Sequence, residues 1–80
     1  MLYFIGAGAG DPELLTIKGK RIIDNSDVII YTGSLVNKEL FKDIKVEAKL
    51  INSASLSLDE VLEIIFDSNE KGLSIARVHT

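Results

Sequence analysis

Cysteine is missing from all 80 residues, and histidine occurs once, at position 79. Without thiols there are no disulfides and no thiolate metal sites. His79 alone cannot assemble a metal cluster, so no metal site is expected. Proline is nearly absent too, with Pro12 standing alone beside six glycines, and nothing resembles a linker or a disordered tail. No apolar run approaches the roughly 18 residues that a membrane span needs. Met1 leads into strand-like residues and not a basic segment, so no signal peptide is visible and a cytoplasmic location is the default expectation. Positive charge is also short: nine Lys and Arg against twelve Asp and Glu leave a net charge of −3. Such a balance argues against nucleic acid as the main partner, because phosphate backbones select basic faces.

What remains is an ordinary globular composition, 46% hydrophobic and 26% charged. Eighty residues make one domain at most, with a marginal core that buries roughly 60–65% of the unfolded surface. Leu2 to Ile5 is a short, continuously apolar run and reads as a buried strand. Asp11 and Pro12 suit the cap and first position of a helix. Leu15, Gly19, Ile22 and Ser26 then recur at helical spacing, and Gly19 on that face implies close packing on a sheet. Asp27 to Tyr31 reads as a second strand, apolar on both faces as in a covered parallel sheet. A short helix is expected over Val36 to Lys42, and a weaker third strand over Ala48 to Ile51. Ser57 and Glu60 form a capping box ahead of the Leu58, Val61, Leu62 and Ile65 stripe. Gly72 is a plausible stop, and Leu73 to Val78 is the fourth strand.

The expected fold is therefore α/β: a parallel sheet with flanking helices, in the order β-α-β-α-β-α-β, over residues 1–80. Ligands of such sheets bind beyond the carboxyl ends of the strands. Three loops should lie on that edge: Gly6–Asp11, Thr32–Val36 and Asn52–Ser55. A fourth strand that stops at His79 and Thr80, as it reaches this edge, suggests a domain that continues.

The richest stretch runs from Tyr3 to Gly19, with glycines at 6, 8 and 10 ahead of Asp11 and Pro12. Two nucleotide signatures fail there. A dinucleotide fingerprint needs Gly or Ala where Asp11 stands, and an acid at that point repels a pyrophosphate. A phosphate-binding P-loop needs Gly-Lys-Ser/Thr where this chain has Gly-Asp-Pro. Two plainer readings stay open. One is a tight strand-to-helix turn with Asp11 as cap, worth about 1 kcal/mol. The other is a small α/β module that holds an anionic ligand at Gly6–Asp11 without chemistry. Lys18, Lys20 and Arg21 form a basic cluster that could meet carboxylates or simply be a solvated helix face. Thr32, Gly33 and Ser34 could donate contacts to a ligand or form a plain turn. His79 is a pH-sensitive candidate.

The block Gly6-Ala-Gly-Ala-Gly-Asp-Pro-Glu-Leu-Leu-Thr-Ile-Lys-Gly19 resembles the N-terminal motif of the tetrapyrrole (corrin/porphyrin) methylase family, with matching spacing to Asp27-Val-Ile-Ile-Tyr31. Tyr31-Thr-Gly-Ser-Leu-Val-Asn37 looks most like the branch that methylates carbon 11 of precorrin-4-type substrates. So does Arg77-Val-His-Thr80, which in that branch runs directly into Gly-Asp-Pro. The resemblance covers essentially the whole chain. It implies an S-adenosylmethionine-dependent methyltransferase of cobalamin synthesis, with two α/β domains, commonly a homodimer. These 80 residues would form the first part of the N-terminal domain and be inactive alone. Ala9 occupies the place where relatives carry a proline bordering the cofactor, so it is the cofactor-site expectation. Gly6, Gly8, Gly10, Asp11, Gly33 and Ser34 are the substrate-site expectations. Some relatives have an aspartate just after the second strand, proposed as a proton acceptor. Thr32 and Gly33 stand there here, and no catalytic base is assigned.

Overall fold

The computed structural model describes residues 1–6, 16–32 and 38–79. Four strands, β1 (Leu2–Gly6), β2 (Val28–Tyr31), β3 (Lys49–Asn52) and β4 (Ile75–His79), form one parallel sheet in the order β1-β4-β2-β3. Helix α1 (Ile17–Asn25) lies between β1 and β2 in the chain, and α2 (Leu58–Glu70) between β3 and β4. Short 3-10 turns cover Lys38–Phe41 and Ser53–Ser55.

The strand order explains which face each helix takes. The chain moves from β1 past the slot of β4 to β2, then outward to β3, and finally back to β4. Right-handed crossovers running in opposite directions place their helices on opposite faces. The packing follows that rule. Ile23 of α1 shares a cluster with Ile5, Ile29, Ala76 and Val78, together with Leu40 and Phe41 of the first 3-10 turn. Val28, Ile30 and Ile75 point the other way, against Ile64 and Ile65 of α2. Each central strand thus buries alternate residues on both faces, which is why β2 reads as one apolar run.

Most expected elements are present with shifted ends. β2 starts one residue later than expected, β3 covers Lys49–Asn52, and β4 covers Ile75–His79. Between Val36 and Lys42 the described residues form a 3-10 turn, not an α-helix. β1 is an edge strand, because β4 occupies the place beside it. Only Ile5 of its residues is buried, and Phe4 is 71% exposed on the α2 side. The expectation of a buried first strand is corrected accordingly.

Another correction concerns α1. The helix that carries Gly19 starts at Ile17 and is capped by Thr16, whose Oγ1 accepts the Gly19 N–H at 3.0 Å; the expected cap at Asp11 and Pro12 lies outside the described residues. Threonine in extended backbone satisfies a first-turn amide that would otherwise lack a partner. Gly19 is buried, as its place on the apolar face implied.

The second helix follows its sequence signals closely. Ser57 Oγ accepts the Glu60 N–H at 3.1 Å, and the Glu60 carboxylate accepts the Ser57 N–H at 2.9 Å. At the other end Gly72 takes φ +73, a left-handed conformation that favours glycine. Leu73 N–H donates to Ser68 C=O at 3.1 Å, and Gly72 N–H to Asn69 C=O at 3.0 Å. That pair of bonds is the Schellman ending of a helix.

Candidate functional site at the carboxyl edge of the sheet

All four strands run the same way, so Gly6, Tyr31, Asn52 and His79 end on one edge. The chain leaves that edge in two directions. After β2 it passes to the α1 face, where Leu40, Phe41 and Ile44 pack beside Ile29. After β3 it passes to the α2 face. Neighbouring strands whose continuations diverge in this way open a crevice between them, the topological switch point where ligands of open α/β sheets bind.

Three polar side chains meet at that point. Ser53 Oγ donates to the Tyr31 carbonyl at 3.1 Å. It accepts Arg77 Nη1 at 2.9 Å and lies 3.2 Å from Thr32 Oγ1. A serine hydroxyl has one proton and two lone pairs. With the proton on Tyr31 C=O, Thr32 must be the donor to Ser53. The hydroxyl of Ser53, itself buried, is then fully used. Asn52 holds the turn in shape, its Oδ1 accepting the Ala54 N–H at 3.0 Å.

Arg77 reaches this point from the middle of the sheet. It is level with Ile30 on one side and Phe4 on the other. Its neighbours Ala76 and Val78 are buried on the α1 face, so Arg77 belongs to the opposite one. From there the guanidinium crosses the end of β2 to Ser53. His79 stands two residues on, on the same face and exposed.

The expected site residues divide in two. Gly6 is placed as anticipated, at the carboxyl end of β1 and paired with His79. A Cβ at Gly6 would meet His79 Cε1 at 3.7 Å, an ordinary contact, so sterics there do not require glycine. Gly8, Ala9, Gly10, Asp11, Gly33 and Ser34 lie outside the described residues. The basic cluster on α1 is dispersed. Lys20 is held by Asp24 and Asp43, each at 2.9 Å, and these carboxylates raise its pKa. Arg21 lines a different depression with Tyr3, Asn25 and Ser74.

Sequence reading did not single out Ser53 and Arg77 as site residues. One signal was available for the arginine: a cation at position 77 flanked by the apolar Ile75, Ala76 and Val78. Among the described residues no group of three His, Asp or Glu side chains could hold a metal ion. No described helix is long and apolar enough to cross a membrane.

Comparison with known proteins agrees with this architecture. The family model for Tetrapyrrole (Corrin/Porphyrin) Methylases matches residues 1–80. A cobalt-precorrin-4 C(11)-methyltransferase of Methanocaldococcus jannaschii is 47% identical over 76 residues, covering 95% of this chain and 29% of that protein. A precorrin-4 C(11)-methyltransferase of Pseudomonas aeruginosa is 43% identical over 79 residues, covering 99% and 31%. The solved structure of a cobalt precorrin-4 methyltransferase of cobalamin biosynthesis superposes with a TM-score of 0.93 at 39% identity, covering 99% of this chain and 33% of that one. The chain thus spans about a third of the length of the relatives it matches. With a family match over every residue and a fold to go with it, this chain belongs to the tetrapyrrole (corrin/porphyrin) methylase family.

Proposed function

We propose that the chain is the first part of an S-adenosylmethionine-dependent methyltransferase that methylates a precorrin-4-type corrinoid in cobalamin biosynthesis. The observation that carries this reading is the collinear 47% identity to a cobalt-precorrin-4 C(11)-methyltransferase, which extends over 95% of the chain. A sulfonium donor supplies an activated methyl group, so the protein's task is chiefly to align a carbon nucleophile behind it. What these residues contribute is one wall of that cleft. β1 and β2 deliver the segments after Gly6 and Thr32 to the carboxyl edge, and Ser53 and Arg77 supply oriented polar groups there.

We place the donor against the loop at Ala9, and the substrate against Gly6, Gly8, Gly10, Asp11, Gly33 and Ser34. The 80 residues alone form half a site and do not turn over. The longer protein works as a soluble, cytoplasmic homodimer. A paired assay tests this reading: the 80-residue chain beside one extended to its relatives' length, each given S-adenosylmethionine and a precorrin-4-type corrinoid. The extended chain is expected to methylate and the short one not. Turnover by the short chain contradicts the half-site, and no methylation by the extended chain contradicts the enzyme.

A further inference from the structure

Among the described residues, three cationic side chains are partly buried: Lys20, Lys45 and Arg77. The two lysines face carboxylates, Lys20 at Asp24 and Asp43, and Lys45 at Asp27. Among the described residues Arg77 faces only the neutral hydroxyl of Ser53, and no described carboxylate comes within ion-pair distance of it. Removing part of a cation's hydration without a counter-charge is costly, and the cost is recovered when an anion arrives. A guanidinium also carries five N–H donors in a planar fork suited to a carboxylate. One of its nitrogens, Nη1, is taken by Ser53, and among the described residues the rest of the fork is open.

Location gives that vacancy a direction. Arg77 meets Ser53 and Thr32 at the switch point between the ends of β2 and β3, where the chain parts to opposite faces. Ser53 cannot swing away easily. Its proton is committed to the Tyr31 carbonyl and its remaining lone pair to Thr32. The guanidinium is therefore held in place by a neutral group, so it is oriented without being neutralised. Such pre-organisation spares the entropy of ordering a long side chain on binding.

We infer that Arg77 anchors a carboxylate of the ligand at the carboxyl edge, with Ser53 as the positioning residue that fixes its guanidinium. The inference rests on the reading of the ligand as a polycarboxylate tetrapyrrole, and it assigns that recognition to a residue of β4 in addition to the glycine-rich loop. Charge-assisted, bidentate bonding of this kind accounts for about tenfold or more in affinity.

The test uses a chain of the relatives' full length and three probes: a corrin polycarboxylate, the same corrin as its methyl ester, and citrate. In the unsubstituted protein the free acid should bind at least about tenfold tighter than the ester. Arg77→Met should weaken the acid by about that factor and leave the ester unchanged, and Arg77→Lys should fall between. Ser53→Ala should weaken the acid less than Arg77→Met does, and Ser53→Thr should restore it. Circular dichroism checks that each variant is folded. Equal loss of acid and ester, or no loss of acid in Arg77→Met, overturns the anchor. Citrate separates the two ideas. If citrate binding depends on Arg77 while neither corrin binds, the anchor stands and the tetrapyrrole reading falls. If citrate binds the Arg77→Met protein as well as the unsubstituted one, the anchor falls whatever the corrins do.

Discussion

The two edges of the sheet are built from similar side chains and used differently. At the amino edge the charged pair at the junction of the strands, Asp27 and Lys45, is internally balanced. Asp27 Oδ1 accepts Lys45 Nζ at 2.7 Å, while Oδ2 accepts the Ser74 N–H at 2.9 Å and the Ser74 hydroxyl at 3.2 Å. Backbone bonds complete the clasp: Asp27 and Val28 N–H both donate to Ser74 C=O, Lys49 N–H to Asp27 C=O, and Ile75 N–H to Met1 C=O. Asp27, through its carboxylate and its backbone, thus joins the starts of β2, β3 and β4. At the carboxyl edge the corresponding junction is Ser53, which joins β2, β3 and β4 through Tyr31, Thr32 and Arg77. Here the hub is a neutral hydroxyl, and among the described residues the cation meets no carboxylate. A junction with internal balance holds strands together. One with a residual charge holds them and also invites a ligand.

The largest effect should come from the core that both edges share. Ile29 is fully buried at the centre of the sheet. Ile29→Ala should cost about 2–5 kcal/mol, a large part of the roughly 4–12 kcal/mol expected for a domain this size. Urea unfolding of the 80-residue chain would measure it. A cost well under about 1 kcal/mol would mean that the centre is not packed as described.

A smaller and more selective effect is expected at Asp27. Bonds from Lys45, then from Ser74, lower its pKa from the usual 3.8 to about 2. A carboxylate with a depressed folded pKa contributes stability above its unfolded pKa and loses it as pH falls. That contribution is therefore complete above about pH 4 and disappears between about 4 and 2. Asp27→Asn should lower the Tm at neutral pH and flatten the acid side of the stability curve. Asp43, lowered by Lys20, leaves some slope in the variant. An unchanged acid profile would remove the clasp from the account.

The smallest effect is expected where α2 begins. Ser57→Ala removes one half of the capping box and should cost about 1 kcal/mol. The same denaturation assay reads it. It should not alter anion binding, since Glu60 and Asp59 already occupy the first turn and repel anions.

Legibility from sequence followed the range of the interactions. The capping box, the Gly72 stop and the two-sided burial of β2 are local or periodic, and they read directly from residues 28–31 and 57–72. Thr16 was overlooked because Asp11-Pro12 is the stronger local cap signal, and a second cap five residues later competes only once the chain is folded. The edge position of β1 was hidden because insertion of β4 beside it is a long-range event. For the same reason Arg77 and Ser53 gave no joint signal. They are 24 residues apart and meet only through strand order. Of the expected site residues, Gly6 is placed at the carboxyl edge as its position after an apolar strand implied. The others fall outside the described residues.

The central claim, that the amino edge stabilises and the carboxyl edge recognises, reduces to one double measurement. Tm and corrin-polycarboxylate affinity are measured side by side for Asp27→Asn and Arg77→Met in a chain of the relatives' full length. The account predicts a crossed result: Asp27→Asn lowers Tm and leaves affinity alone, while Arg77→Met lowers affinity about tenfold or more and moves Tm little. Variants that change both quantities together, or that exchange roles, would contradict it.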